Sequence, residues 1–301
     1  MPELWIIVTL LAATFQTVRF MLQKILASST LSAAGATFSR FVYSAPFIAL
    51  LLLAYVKATD AQLPELGARF WGFGLLGAVS QILATVCVVA LFKERNFAVG
   101  ITFKKTEVIQ TALVGLLLLG EWVSAGGFVA IALGLLGVLL LSGGNAGGGF
   151  RLADLSNRAT KLGLGSGVLF AFSAVSYRGA TQTLSADDPF LRAGVTLLAV
   201  VVMQTLIMAF WLHLRERGEI ARVWQARRVA LWIGLTSMGG SLCWFIAFAL
   251  QNAAYVKALG QVELILSILA STLFFREKIT LREAAGIAVL VMSILVLILT
   301  I

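Results

Sequence analysis

The sequence predicts an all-α, polytopic membrane protein of ten transmembrane helices built as two inverted five-helix repeats, and three observations carry that expectation. Of its 301 residues 60% are hydrophobic and only 12% charged, against about 25% charged in soluble domains. Apolar runs of about 18 to 22 residues recur along the whole length, each long enough to cross the roughly 30 Å hydrocarbon core as a helix. A shift of 156 residues sets Cys87 on Cys243, Asn96 on Asn252, Glu107 on Glu263 and Glu121 on Glu277 without a gap. Charged residues are scarce here, so such matches point to internal duplication. Five spans is an odd number, so the second copy enters the membrane in the opposite orientation.

The spans follow in order. The first, 4–22, lacks a basic leader and carries Arg19 inside it, which reads as a span and not as a cleaved signal. The second, 33–56, contains Pro46, which predicts a kink. Spans three to five cover 70–92, 97–119 and 125–142. Span five holds Ala130 and Gly134, and span six Gly163 and Gly167, small-residue pairs suited to close helix approach. Gly143, Gly144, Asn145, Ala146 and Gly147 to Gly149 have the composition of a flexible linker. The chain therefore divides into a first repeat at 1–142, a linker at 143–160 and a second repeat at 161–301. The remaining spans are 163–184, 190–213, 229–250, 254–275 and 281–300. Near each copy's start a shift of 159 pairs Arg19 with Arg178 and Gln23 with Gln182, and 152 pairs Arg40 with Arg192. Trp5, Trp71, Trp122, Trp211 and Trp232 fall near span ends as an aromatic belt.

Composition excludes several functions. The net charge of +9 is spread over short loops and spans instead of one basic face, so no nucleic-acid partner is implied. Two cysteines without a CxxC and the lone His213 provide no disulfide framework and no metal cluster. No cofactor is implied, no Walker motif supports ATP drive, and no nucleophile, base and orienter stand at recognisable spacing, so an enzyme is not expected. Inverted repeats are a recurrent transporter architecture with the substrate near the midplane.

Leu116-Leu117-Leu118-Leu119-Gly120-Glu121 and its counterpart Thr272-Leu273-Phe274-Phe275-Arg276-Glu277, with Gly286 beyond, resemble the EamA-type signature of the drug/metabolite transporter superfamily. The resemblance covers nearly the whole chain. It implies a ten-helix transporter, many relatives being exporters of amino acids or other metabolites, with helices three, four, eight and nine lining a central cavity. Many relatives carry a proline and apolar or aromatic residues midway along helices four and nine. Here helix four reads Thr102-Phe103-Lys104-Lys105-Thr106-Glu107 and helix nine Lys257-Ala258-Leu259-Gly260-Gln261-Val262-Glu263, so a relative's substrate does not carry over.

Ionisable groups inside a span mark functional positions and call for partners. Glu107 and Glu263 lie about ten residues into their spans, too deep to reach the headgroups easily. Lys104, Glu107 and Thr111 share one helical face, matched by Gly260, Glu263 and Ser267, and the two faces are expected to meet across a central cavity. Two readings stay open for the glutamates: proton carriers, or partners locked to Lys104, Lys105 or Lys257. Lys105 or Lys257, the latter with Gln261 at i, i+4, is positioned to meet a substrate carboxylate or phosphate. Arg19 and Arg178, with Tyr177 adjacent, either snorkel to the interface or line the cavity mouths and select anions. Arg40 and Arg192 read as interfacial. Trp244 sits mid-span as cavity wall or core. Glu121 and Glu277 fall at span ends and are expected to orient the following helix.

The expected function is secondary transport, as an exporter, of a small polar metabolite that is anionic or zwitterionic, by alternating access, with a proton as one candidate coupling ion. The alternative is a flippase for a phosphate-bearing lipid. The expected partners are a small-molecule substrate and the lipid bilayer, and the expected location is a cell membrane, the inner membrane of a bacterium. Clear loop Lys and Arg number two on the side of both termini and fourteen on the other. The positive-inside bias therefore places both termini outside, whereas the resemblance implies cytoplasmic termini.

Overall fold

The computed structural model describes residues 3–29, 31–91, 103–142, 158–266, 269 and 280–300. Its helices are α1 (Leu4–Ser29), α2 (Ala33–Thr59), α3 (Ala68–Leu91), α4 (Glu107–Leu119), α5 (Ala125–Ser142), α6 (Arg158–Gln182), α7 (Pro189–Arg215), α8 (Glu219–Gln225), α9 (Arg227–Leu250), α10 (Ala253–Leu259) and α11 (Leu281–Thr300). No strand occurs among the described residues. Among the described residues six helices, α2, α3, α6, α7, α9 and α11, are long and apolar enough to cross a membrane, and shorter apolar helices lie at Leu4–Phe20, Glu107–Leu119 and Ala125–Leu141. Polarity is distributed opposite to that of a soluble protein: Arg40 and Lys105 are buried, while Leu117 and Leu299 are 80% and 83% exposed. Leucines so placed suit a hydrocarbon solvent. The chain is a multi-pass helical membrane protein.

The helices pack in reciprocal pairs. α1 lies on α9 and α3 on α6, while α2 meets α7, α4 meets α10 and α5 meets α11. Each pair joins the N-terminal copy to the C-terminal one, so neither copy is a free-standing core. At the α5–α11 contact Gly137 lies so close to α11 that a Cβ there would stand 2.9 Å from Leu290 N. Alongside, Gly134 faces Ser293, whose Oγ donates to Ala130 O at 2.8 Å. Gly137→Leu is expected to wedge the pair apart and cost about 1 to 3 kcal/mol, measurable as a lowered melting point in detergent.

Local chemistry sets the helix ends. Asp188 caps α7 by accepting from Phe190 N and Leu191 N at 3.0 and 3.2 Å, with Pro189 in the first turn. Gly120 ends α4 at φ +67° and returns its N–H to Leu116 O, a left-handed cap that glycine adopts without strain. Glu219, at the start of the short helix α8, is fully buried and accepts from Ser32 N at 2.6 Å just before α2. That carboxylate pins α8 over the N-terminal end of α2.

Several expectations change. The fourth and ninth spans are not continuous helices: a turn at Lys105 and Thr106 precedes α4, and a turn at Gly260 and Gln261 separates α10 from a helical stretch at 262–266. Discontinuous helices are tolerated at membrane depth where neighbouring groups satisfy the freed backbone. The helix α8 lies in a segment expected to be loop. Trp5 is 6% exposed and packs in the core, whereas Trp71, Trp122, Trp211 and Trp232 are exposed. The linker residues 143–157, Ser267 and Glu277 lie outside the described residues.

Candidate functional site

The two helix breaks meet. Gln261 stands 156 positions after Lys105, and its Nε2 donates to Lys105 O at 3.1 Å, so one break satisfies a carbonyl released by the other. Gln261 thus spends its amide on the opposite copy and not on Lys257.

Around the junction the ion pairs cross. Lys105 of the first copy reaches Glu263 of the second at 3.1 Å, and Lys257 of the second reaches Glu107 of the first at 3.6 Å. Lys104 also pairs with Glu107, at 3.6 Å, and Gln16 donates to Glu263 at 2.8 Å. Each carboxylate is therefore held by the other copy's lysine. Lys104 and Lys257 also lie over the ring of Phe170 at 5.1 and 5.4 Å, and Lys257 lies 5.0 Å from the Trp244 ring. Phe170 thus receives two ammonium groups at cation–π distance.

Beside these pairs is a narrow cavity lined by Gln16, Arg19, Arg40, Gln81, Tyr177, Trp244 and Lys257, together with small and aromatic residues of α6 and α9. It has room for about one water molecule, so nothing larger fits unless the helices move. Glu107 and Glu263 stand behind its wall, reached through Lys257 and Gln16. Arg19 is 4% exposed, over the Phe20 ring at 4.5 Å, and is repelled by Arg40 and attracted by Glu263. Its burial rules out snorkelling.

Arg40 departs most from expectation. It is 3% exposed instead of interfacial, because α7, α8 and α9 cover the first turns of α2. Its Nε donates to Ser237 at 2.8 Å, Nη1 to Thr85 at 3.1 Å and Nη2 to Ser241 at 3.3 Å. These are neutral hydroxyls. The i, i+4 spacing of Ser237 and Ser241 on α9 was the available signal for this cage. A second polar group missed in the sequence is Gln81, whose Oε1 lies 2.7 Å from Tyr177 Oη and accepts from Gln204 Nε2 at 3.0 Å. Trp244 both lines the cavity and stacks on Phe248, with ring centroids 5.8 Å apart.

Arg178 is not brought to the other cations. Its Nε donates to both Glu121 oxygens at 2.6 and 2.8 Å, and its Nη1 donates to Phe248 O and Gln251 O at 2.7 and 2.6 Å. It ties the end of α4 to the end of α9, so Glu121 orients its neighbourhood through an arginine.

The model of the EamA-like transporter family matches residues 3–143 and again 158–299. A crystal structure at 18% identity aligns with a TM-score of 0.65, covering 96% of this chain and 99% of that one, and bears on the fold alone. No curated protein sequence matches. Two consecutive matches that take in the broken helices, the crossed ion pairs and the cavity place the chain in the EamA-like transporter family.

Proposed function

We propose that the protein is a secondary transporter, working as an exporter, that moves a small polar metabolite bearing an anionic group, alone or as part of a zwitterion, by alternating access. In this reading ten spans form two inverted repeats, 1–142 and 161–301, joined by the linker 143–160. One observation carries it: among the described residues, five buried cations, Arg19, Arg40, Lys104, Lys105 and Lys257, gather with two carboxylates, Glu107 and Glu263, where the broken helices meet. Uncompensated charge at membrane depth is costly, and a substrate anion relieves it. The discontinuous helices support the same reading, because transporter sites near the midplane are commonly formed by such breaks. Both glutamates are engaged by lysines, which favours an electrostatic role for them over proton carriage in this conformation.

The flippase alternative calls for a lateral opening beside the cations. A large apolar groove among the described residues lies elsewhere, lined by Phe38, Pro46, His213, Glu216, Arg217 and Trp224 among others, and lends that alternative no support. An untargeted metabolite comparison of cells with and without the protein tests the reading. It is expected to show a small polar acid depleted inside the expressing cells and enriched outside; an unchanged acid pool with a changed cationic or apolar compound would refute it.

The loop charges support placing both termini outside the cytoplasm. A reporter fused after Ile301 is expected to be active only in its extracytoplasmic form, and activity of the cytoplasmic form alone would reverse the assignment.

A further inference from the structure

We infer that the cavity takes a dianion: a small acid that presents at least two negative charges through oxygen acceptors and carries no ammonium group. The inference rests on the cavity being the substrate site and narrows what that site accepts.

Charge is the first argument. Glu107 and Glu263 neutralise two of the five buried cations and are themselves held by lysines. A zwitterion adds no net charge and leaves the whole excess in place. Its ammonium would also enter a cavity whose wall already carries Arg19, Arg40 and Lys257. A dianion removes most of the excess and meets guanidinium groups suited to oxyanions.

Hydrogen bonding gives the second, independent argument. Among the described side chains that line the cavity, the buried polar atoms left without a partner are Arg19 Nε and Trp244 Nε1. Both are N–H donors and neither can accept. Arg40 holds only neutral hydroxyls with its three assigned bonds, and a guanidinium has five N–H groups, so it retains donors for a ligand. Gln81 Oε1, an acceptor on a lining residue, already receives Gln204 Nε2. Buried donors without acceptors are costly, and a ligand made of acceptors removes that cost.

A phosphate monoester and a dicarboxylate share this chemistry. The test uses the full chain purified in detergent, with melting followed against inorganic phosphate, glycerol phosphate, succinate and alanine, each compared with sodium chloride at equal ionic strength. Succinate or the two phosphates are expected to raise the melting point by several degrees, and alanine to leave it where chloride does. A response to succinate alone assigns a dicarboxylate, and a response to the phosphates alone assigns a phosphate monoester. Trp244→Phe keeps an aromatic side chain but removes the N–H together with the pyrrole part of the indole, and is expected to weaken the responding dianion about tenfold; Arg40→Lys weakens it further. The inference is overturned if no dianion exceeds chloride, if alanine stabilises as strongly as succinate, or if Trp244→Phe binds the dianion as tightly as wild type. An alanine response with alanine uptake into proteoliposomes would leave the transporter reading standing and remove the dianion, whereas a failure of every probe together with an unchanged cellular acid pool would remove both.

Discussion

Lys105→Met is expected to destabilise the protein by about 3 to 5 kcal/mol, because it takes away the lysine that pairs with the buried Glu263 carboxylate. The pair is 3.1 Å apart with side chains only 4% and 13% exposed, so solvent offers little compensation. Glu263 keeps its bond from Gln16, which places the cost toward the lower end. Glu263→Gln in the same chain removes the buried charge that Lys105 had paired with, and the double variant should recover most of the loss. Unfolding of the two single variants and the double variant in detergent measures this coupling. Transport should fall in all three, since each alters the junction of the broken helices. Additive destabilisation in the double variant would show that the crossed pair is not a unit.

Arg178→Lys should lower stability by about 2 to 3 kcal/mol, although it keeps the charge. The guanidinium makes four bonds at once, two to Glu121 and one each to the carbonyls of Phe248 and Gln251. An ammonium reproduces the charge but not the planar fork. Glu121→Gln alone should also destabilise, and in the Arg178→Lys background it should add little. Thermal melting of the four chains reads the cycle, and independent, additive effects would contradict the assignment of Arg178 as the tie between α4 and α9.

What the sequence made legible was what periodicity and duplication encode. The spans at 125–142 and 281–300 coincide with α5 and α11, because uniform apolar runs between polar ends leave little room for error. Glu107, Glu263, Lys105 and Lys257 stood out because charge is rare inside such runs, and the structure gathers them into one cluster. The breaks at Lys105–Thr106 and Gly260–Gln261 were hidden, since helical periodicity continues across a turn that is stabilised from the other copy by Gln261. Arg40 was misplaced for a related reason. Depth counted along α2 suggested the interface, but α8 folds back over that end, held by the Glu219 contact to Ser32. A seven-residue helix within a charged loop gives too short a pattern to detect. Tertiary partners, not local propensity, decided each of these outcomes.

The central claim is that anions cross through the cavity bounded by Arg19, Arg40, Trp244 and Lys257. Uptake into proteoliposomes of the acid identified by the metabolite comparison, measured for wild type and for Lys257→Gln with Glu107→Gln in the same chain, tests it most directly. The paired substitution removes one positive and one negative charge and leaves the net charge of the cluster unchanged. This variant is expected to melt below wild type, because Lys104 loses its carboxylate partner, and to lose at least about tenfold in uptake per folded molecule, as expected for a lost charged contact to substrate. Full-rate uptake by a normally folded variant would contradict it.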